Sequence, residues 1–263
     1  MVEPASYLRE TGEIGAALSS KYEVTSDIHV DDPIFNYLHE LEGKDLHTAL
    51  DRYLANGRTS AEKIRDLIAE LQGARVADGA IADAMTILDA PSGYGCVARH
   101  LKNVIPHGKV VALDHDDKAM YFNQAHLGVQ AAVLDVNPAR VNPFFQFDVA
   151  FSLSLFSHLP RARIGPWLEK LGQFVKVGGL LLFTTHGKTT HRDHLAHLSV
   201  DPEGFAFERT ARLEDSLDDR GNAVTYPILI VRELDRLRNL DLVMFHSGAW
   251  WGHQDLYVVR KSA

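Results

Sequence analysis

Five short apolar runs constrain the fold more than any other feature of this chain. They are TILDA (86–90), VVALD (110–114), AAVLDV (131–136), FDVAFSL (147–153) and GLLLFTT (179–185). Stretches with helical spacing lie between them, among them WLEKLGQFVKV (167–177). A strand that is apolar along its whole length is buried on both faces, as in parallel sheets covered by helices. The alternation therefore predicts an α/β fold around a mostly parallel sheet. Two more strand-like runs close the chain, LDLVMFHSG (240–248) and DLYVVRK (255–261), joined only by AWWGHQ. A parallel crossover needs a dozen or more residues, so these two pair antiparallel. Seven strands result, with the last one reversed.

Residues 1 to about 80 read differently. Leu46, Leu50, Tyr53 and Leu54 recur at helical spacing, as do Ile64, Leu67, Ile68 and Leu71. Ser60 reads as an N-cap and Gly73 as the residue that ends the helix. The segment 22–33, YEVTSDIHVDDP, is polar and broken, a loop or lid. We thus expect an N-terminal helical extension over 1–80 and a domain over 81–263. That domain carries a polar, histidine-rich, irregular insert at 186–227.

Composition narrows the function classes. The net charge is −8 and no basic stripe is visible, which argues against a nucleic-acid partner. Cys96 is the one cysteine, so no internal disulfide forms. Neither a secretory signal nor a membrane-length apolar run is present. The expectation is a soluble cytoplasmic protein without membrane partners. The sequence leaves a homodimer open.

The chemistry concentrates at ILDAPSGYGCVARHL (87–101), a strand, a glycine turn and a helix start. Glycine tolerates positive φ and lets a ligand approach the backbone. Helix N–H groups beyond it suit a carboxylate or phosphate. Ligands of open α/β sheets sit outside the carboxyl ends of the strands, where this turn lies. Asp114 ends the next strand, 21 residues after Gly93, and offers a carboxylate to a ribose diol. Asp135 ends the third and could accept from an adenine amino group. Two cofactors fit. Gly93, Gly95 and Ala98 satisfy the dinucleotide pattern G-x-G-x-x-A, which would make an NAD(P)-dependent oxidoreductase. Against it stand the late start of the glycine strand, behind some 85 residues, and the antiparallel end of the chain.

At these residues the sequence resembles the class I S-adenosylmethionine-dependent methyltransferases. The loop D89-A-P91-S-G93-Y-G95, the acids Asp114 and Asp135, FDVAFSLSLFSHLP (147–160), VKVGGLLLFTTHG (175–187) and the final antiparallel pair match that family's motifs in order. The departure is Pro91, where most members have glycine. Proline fixes φ and removes an N–H, so cofactor contact should shift to Gly93, Gly95 and the residues after them.

The resemblance implies a Rossmann-like methyltransferase fold and S-adenosylmethionine as cofactor. The reaction would be methyl transfer to a small-molecule hydroxyl, of a saccharide or secondary metabolite. Asp89, Pro91, Gly93 and Gly95 would flank the methionine part. Asp114, with His115 beside it, would hold the ribose, and Asp135 and Val136 the adenine. Ser152 and Leu153 would lie beside the sulfonium. His158 and His186, each just past a strand end, are the candidate bases, ahead of His253 in WWGHQD. Histidine suits base work because its pKa lies near neutrality.

Other residues have plainer readings. His191, His194 and His197 invite a metal, but their spacing spreads them around a helix, so an exposed polar helix is expected and no metal. Cys96 reads as packing. Trp250, Trp251, Phe205 and Phe207 wall an acceptor or simply pack. A non-catalytic binding subunit on the same fold is a third reading, set apart by cofactor binding without turnover.

Overall fold

The helical spacing of residues 46–71 becomes one unbroken helix. The computed structural model describes residues 8–209 and 221–263. In it α1 (Gly12–Tyr22), α2 (Pro33–Leu41) and α3 (Leu46–Gln72) come first. Asp32 caps α2 by accepting from the N–H of Ile34 and Phe35, and Asp45 caps α3 through Thr48. Gly73 ends α3 at φ 65, as expected. Ser60 caps nothing: it is buried inside α3. The helix instead continues through Gly57, where a Cβ would stand 2.0 Å from the Cys96 carbonyl oxygen. A glycine inside a helix costs ~1 kcal/mol. Here it admits a neighbouring backbone, and the apolar face of Leu50, Tyr53 and Leu54 is buried. After α3, β1 (Val76–Ala77) and β2 (Ala80–Ile81) form a small ribbon. Its turn is Asp78-Gly79, both at positive φ, the dipeptide that such turns require.

The chain divides into two compact units, residues 1–134 and 135–263. The first holds β3 (Thr86–Asp89), α4 (Ala98–Val104), β4 (Lys109–Asp114), α5 (Asp117–Ala125) and β5 (Gln130–Val133). Its three strands pair in parallel, with Ile87 opposite Val110 and Ala112 opposite Ala131. The third strand ends three residues earlier than its apolar run. Asp135 accepts from the N–H of Asn137, and Asn137 accepts from that of Ala139. These successive side-chain turns lead into the 3-10 turn Pro138–Arg140 and compete with strand pairing. Asp135 therefore lies beyond the strand rather than on it.

The second unit begins its sheet with β6 (Phe147–Ser152), followed by α6 (Arg161–Gln173) and β7 (Val175–His186). The helix expected over 167–177 stops at Gln173, and Val175–Val177 instead open β7. The insert is structured on both sides of residues 210–220, which lie outside the described residues. It forms α7 (Lys188–His194) and the antiparallel strands β8 (Phe205–Arg209) and β9 (Gly221–Thr225). Then come α8 (Pro227–Leu237), β10 (Leu240–Trp250) and β11 (Gln254–Lys261). As expected, β11 runs antiparallel to both β7 and β10. The seven long strands belong to one sheet, in the order β10-β11-β7-β6-β3-β4-β5. Its apolar runs are fully buried at Ile87, Leu88, Leu181, Leu182, Val258 and Val259. Among the described residues no helix is long and apolar enough to cross a membrane.

Candidate functional site

In the first unit the glycine turn is stitched down on three sides. The Ser92 N–H donates to the Leu113 carbonyl at 3.0 Å, and the Ser92 hydroxyl donates to Asp89 at 2.8 Å. The Gly93 N–H donates to Asp114 Oδ2 at 2.8 Å. The Asn123 amide donates to the Gly93 carbonyl at 2.8 Å. Asp89, Pro91, Gly93, Gly95, Asp114 and His115 are thus gathered around one turn.

The two glycines do different jobs. Both have positive φ, 53 and 73. A Cβ on Gly95 would press into Leu127 and Asn123, at 2.3 and 2.5 Å, so that glycine serves packing on α5. A Cβ on Gly93 would meet no atom within 4 Å. Gly93 therefore presents bare backbone, and its openness has no packing explanation.

The two acids are set apart electrostatically. Burial drives the Asp89 carboxyl well above the usual carboxylate range, with the Asp114 charge adding to the rise. Burial also pushes Asp114 up, but His115 and the N–H groups of Asp116 and Gly93 outweigh it and hold Asp114 below its ordinary value. Environment alone shifts the two carboxyls in opposite directions, Asp89 upward and Asp114 downward. Asp114 engages His115 and the Asp116 N–H through Oδ1, at 2.8 and 3.1 Å, and Gly93 through Oδ2. A carboxylate oxygen accepts about two hydrogen bonds, so Oδ2 keeps capacity for a further donor.

Sequence reasoning missed what holds this turn. Arg99 is 2% exposed. Its guanidinium donates to the carbonyls of Thr25, Asp27, Tyr94 and Gly95 at 3.1–3.2 Å. It also reaches the Tyr53 hydroxyl, which donates to the buried Asp32 at 2.7 Å. The 22–33 segment is thereby strapped over the turn, and His29 stacks on Tyr94 at 4.6 Å. The Asp32-Pro33 pair before an apolar run is a helix-start signal that could have located the cap. An arginine destined for burial carries no such signal. Cys96 packs as expected, its thiol pushed up to about 12 by burial.

The second unit has its own polar cluster, at the carboxyl ends of β6 and β7. Ser152 is fully buried and its hydroxyl has no hydrogen-bond partner among the described residues. Leu153 is buried beside it. Ser154 adopts φ 62, receives the Gln254 amide at 2.8 Å and donates its N–H to Thr184. His158 and His186 do come together, with ring centroids 5.9 Å apart. His158 Nδ1 faces the Gly221 carbonyl at 2.9 Å, so that nitrogen carries its hydrogen. Burial first, then the neighbouring imidazoles His158 and His253, lower His186 to about 3. His186 is therefore neutral at ordinary pH.

The exposed polar helix expected at His191–His197 is only partly correct. His191 is half-buried, bonded to the Tyr226 hydroxyl and the Leu198 carbonyl. His194 faces the His253 ring, and His197 pairs with Glu208. The three imidazoles go to three different places because the helix ends at His194. Asp135 and Val136 line a groove of about 630 Å³ with Pro138, Arg140, Arg163 and Lys170. Trp250 and Phe205 are packed inside, whereas Trp251 and Phe207 are half-buried.

No protein-family model matches the sequence. A curated relative, malonyl-[acyl-carrier protein] O-methyltransferase 2 of Ilyobacter polytropus, is 26% identical over 170 residues. The match takes in 62% of this chain and spans 62% of the length of that relative. Among solved structures, the fold is similar to that of 1,6-didemethyltoxoflavin-N1-methyltransferase from Burkholderia thailandensis. That structure holds 1,6-didemethyltoxoflavin and S-adenosylhomocysteine, and it matches with a TM-score of 0.53 at 15% identity over 100% of this chain and 94% of that one. A S-adenosylmethionine-dependent methyltransferase from Clostridium acetobutylicum matches with a TM-score of 0.56 at 11% identity over 87% and 99% of the two chains.

Proposed function

We propose that this chain, which carries the fold of the class I S-adenosylmethionine-dependent methyltransferases, moves a methyl group from S-adenosylmethionine to a small-molecule acceptor. The acceptor class we favour is a hydroxyl of a saccharide or secondary metabolite. The observation that carries the reading is the pairing of an open Gly93 backbone with an ionised Asp114 that already holds the Gly93 N–H.

The residues suit such a cofactor. Gly93 lets it approach, Asp114 offers Oδ2 to a ribose hydroxyl, and Asp89, raised by burial and bonded to the Ser92 hydroxyl, closes the turn. His115 stands beside the ribose acid, and Pro91 lines the turn without donating. In the second unit Asp135 and Val136 are our candidates for the adenine, and Ser152 and Leu153 for the reacting end. When bound, the cofactor supplies an already activated methyl group. The chain has mainly to align the acceptor and exclude water, which accounts for most of the achievable rate. A base adds less, ~10²–10⁴-fold. We assign that part to His158 and His186. The N-terminal helices, with their strap over the glycine turn, and the 186–227 insert are our candidates for covering the acceptor. We place the protein in the cytoplasm, without a nucleic-acid partner.

Calorimetric titration with S-adenosylmethionine should release or absorb heat at one site, and NADH should not. Heat with NADH alone would overturn the reading in favour of an oxidoreductase. The glycines give a sharper test. Gly93→Ala should cost ~1–2 kcal/mol of stability, the strain of a left-handed residue, yet weaken cofactor binding at least about tenfold, the loss of ~1.4 kcal/mol. Gly95→Ala should unfold the turn itself, because strain and collision add. A Gly93→Ala protein that binds S-adenosylmethionine as tightly as the parent would show that this turn is not the cofactor surface.

A further inference from the structure

We propose that His253 and His194 form a proton path between His186 and solvent, an inference that rests on the methyltransferase reading above. In the second unit the imidazoles stand in a run. Ring centroids are 5.9 Å apart for His158 and His186, 6.1 Å for His186 and His253, and 6.0 Å for His253 and His194. Exposure rises along it: His186 Nδ1 is buried, His253 is half-buried and His194 is exposed. These four residues come from four separate places: the turn after β6, the end of β7, the β10–β11 turn and α7. The Thr190 hydroxyl donates to the His253 carbonyl at 2.8 Å and pins that turn to α7.

The hydrogen bonds leave the right atoms available. The His186 Nδ1 has no partner among the described residues, while the ring is held through a hydrogen bond with the Ala223 backbone. The His253 Nδ1 faces the Trp251 carbonyl at 3.0 Å, so it carries the hydrogen and Nε2 has the lone pair. At these separations one water molecule can join ring to ring.

A relay is needed because His186 cannot keep a proton. The acceptor's lone pair forms the new bond to carbon as the sulfur–methyl bond breaks, its electrons staying on sulfur. The acceptor's X–H electrons stay on X and its proton passes to His186 Nδ1. His186 is lowered to about 3 by burial and the rings of His158, His253 and His194. The proton therefore leaves again from His186 Nδ1, through water to the His253 Nε2 lone pair. From that same nitrogen it passes through water to His194, the Ala223 and Trp251 hydrogen bonds staying in place. Two carboxylates border this region, and the Asp255 Oδ2 beside Gly187 has no hydrogen-bond partner among the described residues. Asp255 directs Oδ1 to Ser247 and Gly248, and Asp193 pairs with Arg192. Lys188 lies over the Tyr226 ring.

The test needs no acceptor. In the full chain with ¹⁵N-labelled histidine, the exchange rate of the His186 ring proton with water is measured by NMR. His194→Ala should slow that exchange about tenfold or more at neutral pH, and free imidazole in the buffer should restore it. His253→Phe should behave alike. Since His194 is exposed, its alanine variant should keep the parent's unfolding temperature. An unchanged exchange rate in His194→Ala, or a slowed rate that imidazole does not restore, would overturn the relay. Calorimetry with S-adenosylmethionine on the same samples keeps the two ideas apart. Binding with unchanged exchange sinks only the relay, and failure of the parent chain to bind sinks the methyltransferase reading.

Discussion

Replacing Arg99 with methionine should destabilise the first unit by about 3–5 kcal/mol, the scale of loss when a buried charged group is removed and its partners are left unsatisfied. Methionine keeps most of the aliphatic volume, so the change isolates the guanidinium. Three things are lost together. The carbonyls of Thr25 and Asp27 lose their donor, which frees the strap from the glycine turn. The carbonyls of Tyr94 and Gly95 lose theirs inside the turn itself. Asp32, 1% exposed and already raised by burial, loses the cation that favours its charged form. Arg99→Lys should fall between, because a point charge replaces the planar fork but cannot reach every acceptor. Chemical denaturation of the three proteins measures the ranking. Asp32→Asn combined with Arg99→Met should lose less than the sum of the single changes, since the two are coupled through the Tyr53 hydroxyl. A loss under about 1 kcal/mol for Arg99→Met, the scale of an exposed ion pair, would show that the network is incidental.

His100→Phe should do the opposite and stabilise the chain. His100 is 1% exposed, and neither ring nitrogen has a hydrogen-bond partner among the described residues. Two unpaired polar atoms in the core cost about 1–3 kcal/mol each at most, so their removal should raise stability by about that range at neutral pH. Phenylalanine retains the edge-on contact with Tyr22, whose ring lies 6.3 Å away. The pH dependence adds a second readout. Burial, helped by Arg99, Arg58 and Lys102, lowers His100 from 6.5 to about 3. Between those values the unfolded chain binds a proton that the folded chain does not. Stability is therefore full above about pH 6.5 and declines as pH falls toward 3. The phenylalanine variant should lose part of that acid slope. His186, lowered to a similar value, keeps the rest. A variant less stable than the parent at neutral pH, or with an undiminished acid slope, would contradict this account.

Local pattern carried the reading far where the physics is local. A short, mostly apolar run bounded by turn residues can be satisfied in few ways, and TILDA and GLLLFTT became buried parallel strands. The short AWWGHQ link left no room for a crossover, so the last strand had to turn back. Where two local preferences compete, the pattern misled. Asp135 and Asn137 took backbone N–H groups that strand pairing would have used, and the third strand stopped at Val133. Gly57, a residue that disfavours helix, stands inside α3 because another backbone comes close there. Residues of the insert, polar and unpatterned along the chain, pair as strands because their partners lie across a gap in sequence.

The residue types and spacing around Pro91, Gly93, Gly95 and Asp114 were enough to locate the glycine turn and its acid, since both sit a few residues from a strand end and need only local geometry. Folding decided how far each is shifted. Asp89 and Asp114 are the same residue type; His115 and the Asp116 N–H beside Asp114 are local, but the Gly93 N–H and the burial of both carboxyls come from the packed structure. Burial with one hydroxyl donor leaves one raised well above the ordinary carboxylate range, and burial with three donors holds the other below it. Likewise four histidines spread from residue 158 to residue 253 meet only because the strands bring their ends together. Desolvation and contacts between distant residues depend on the whole packed structure, and no window of the sequence contains them.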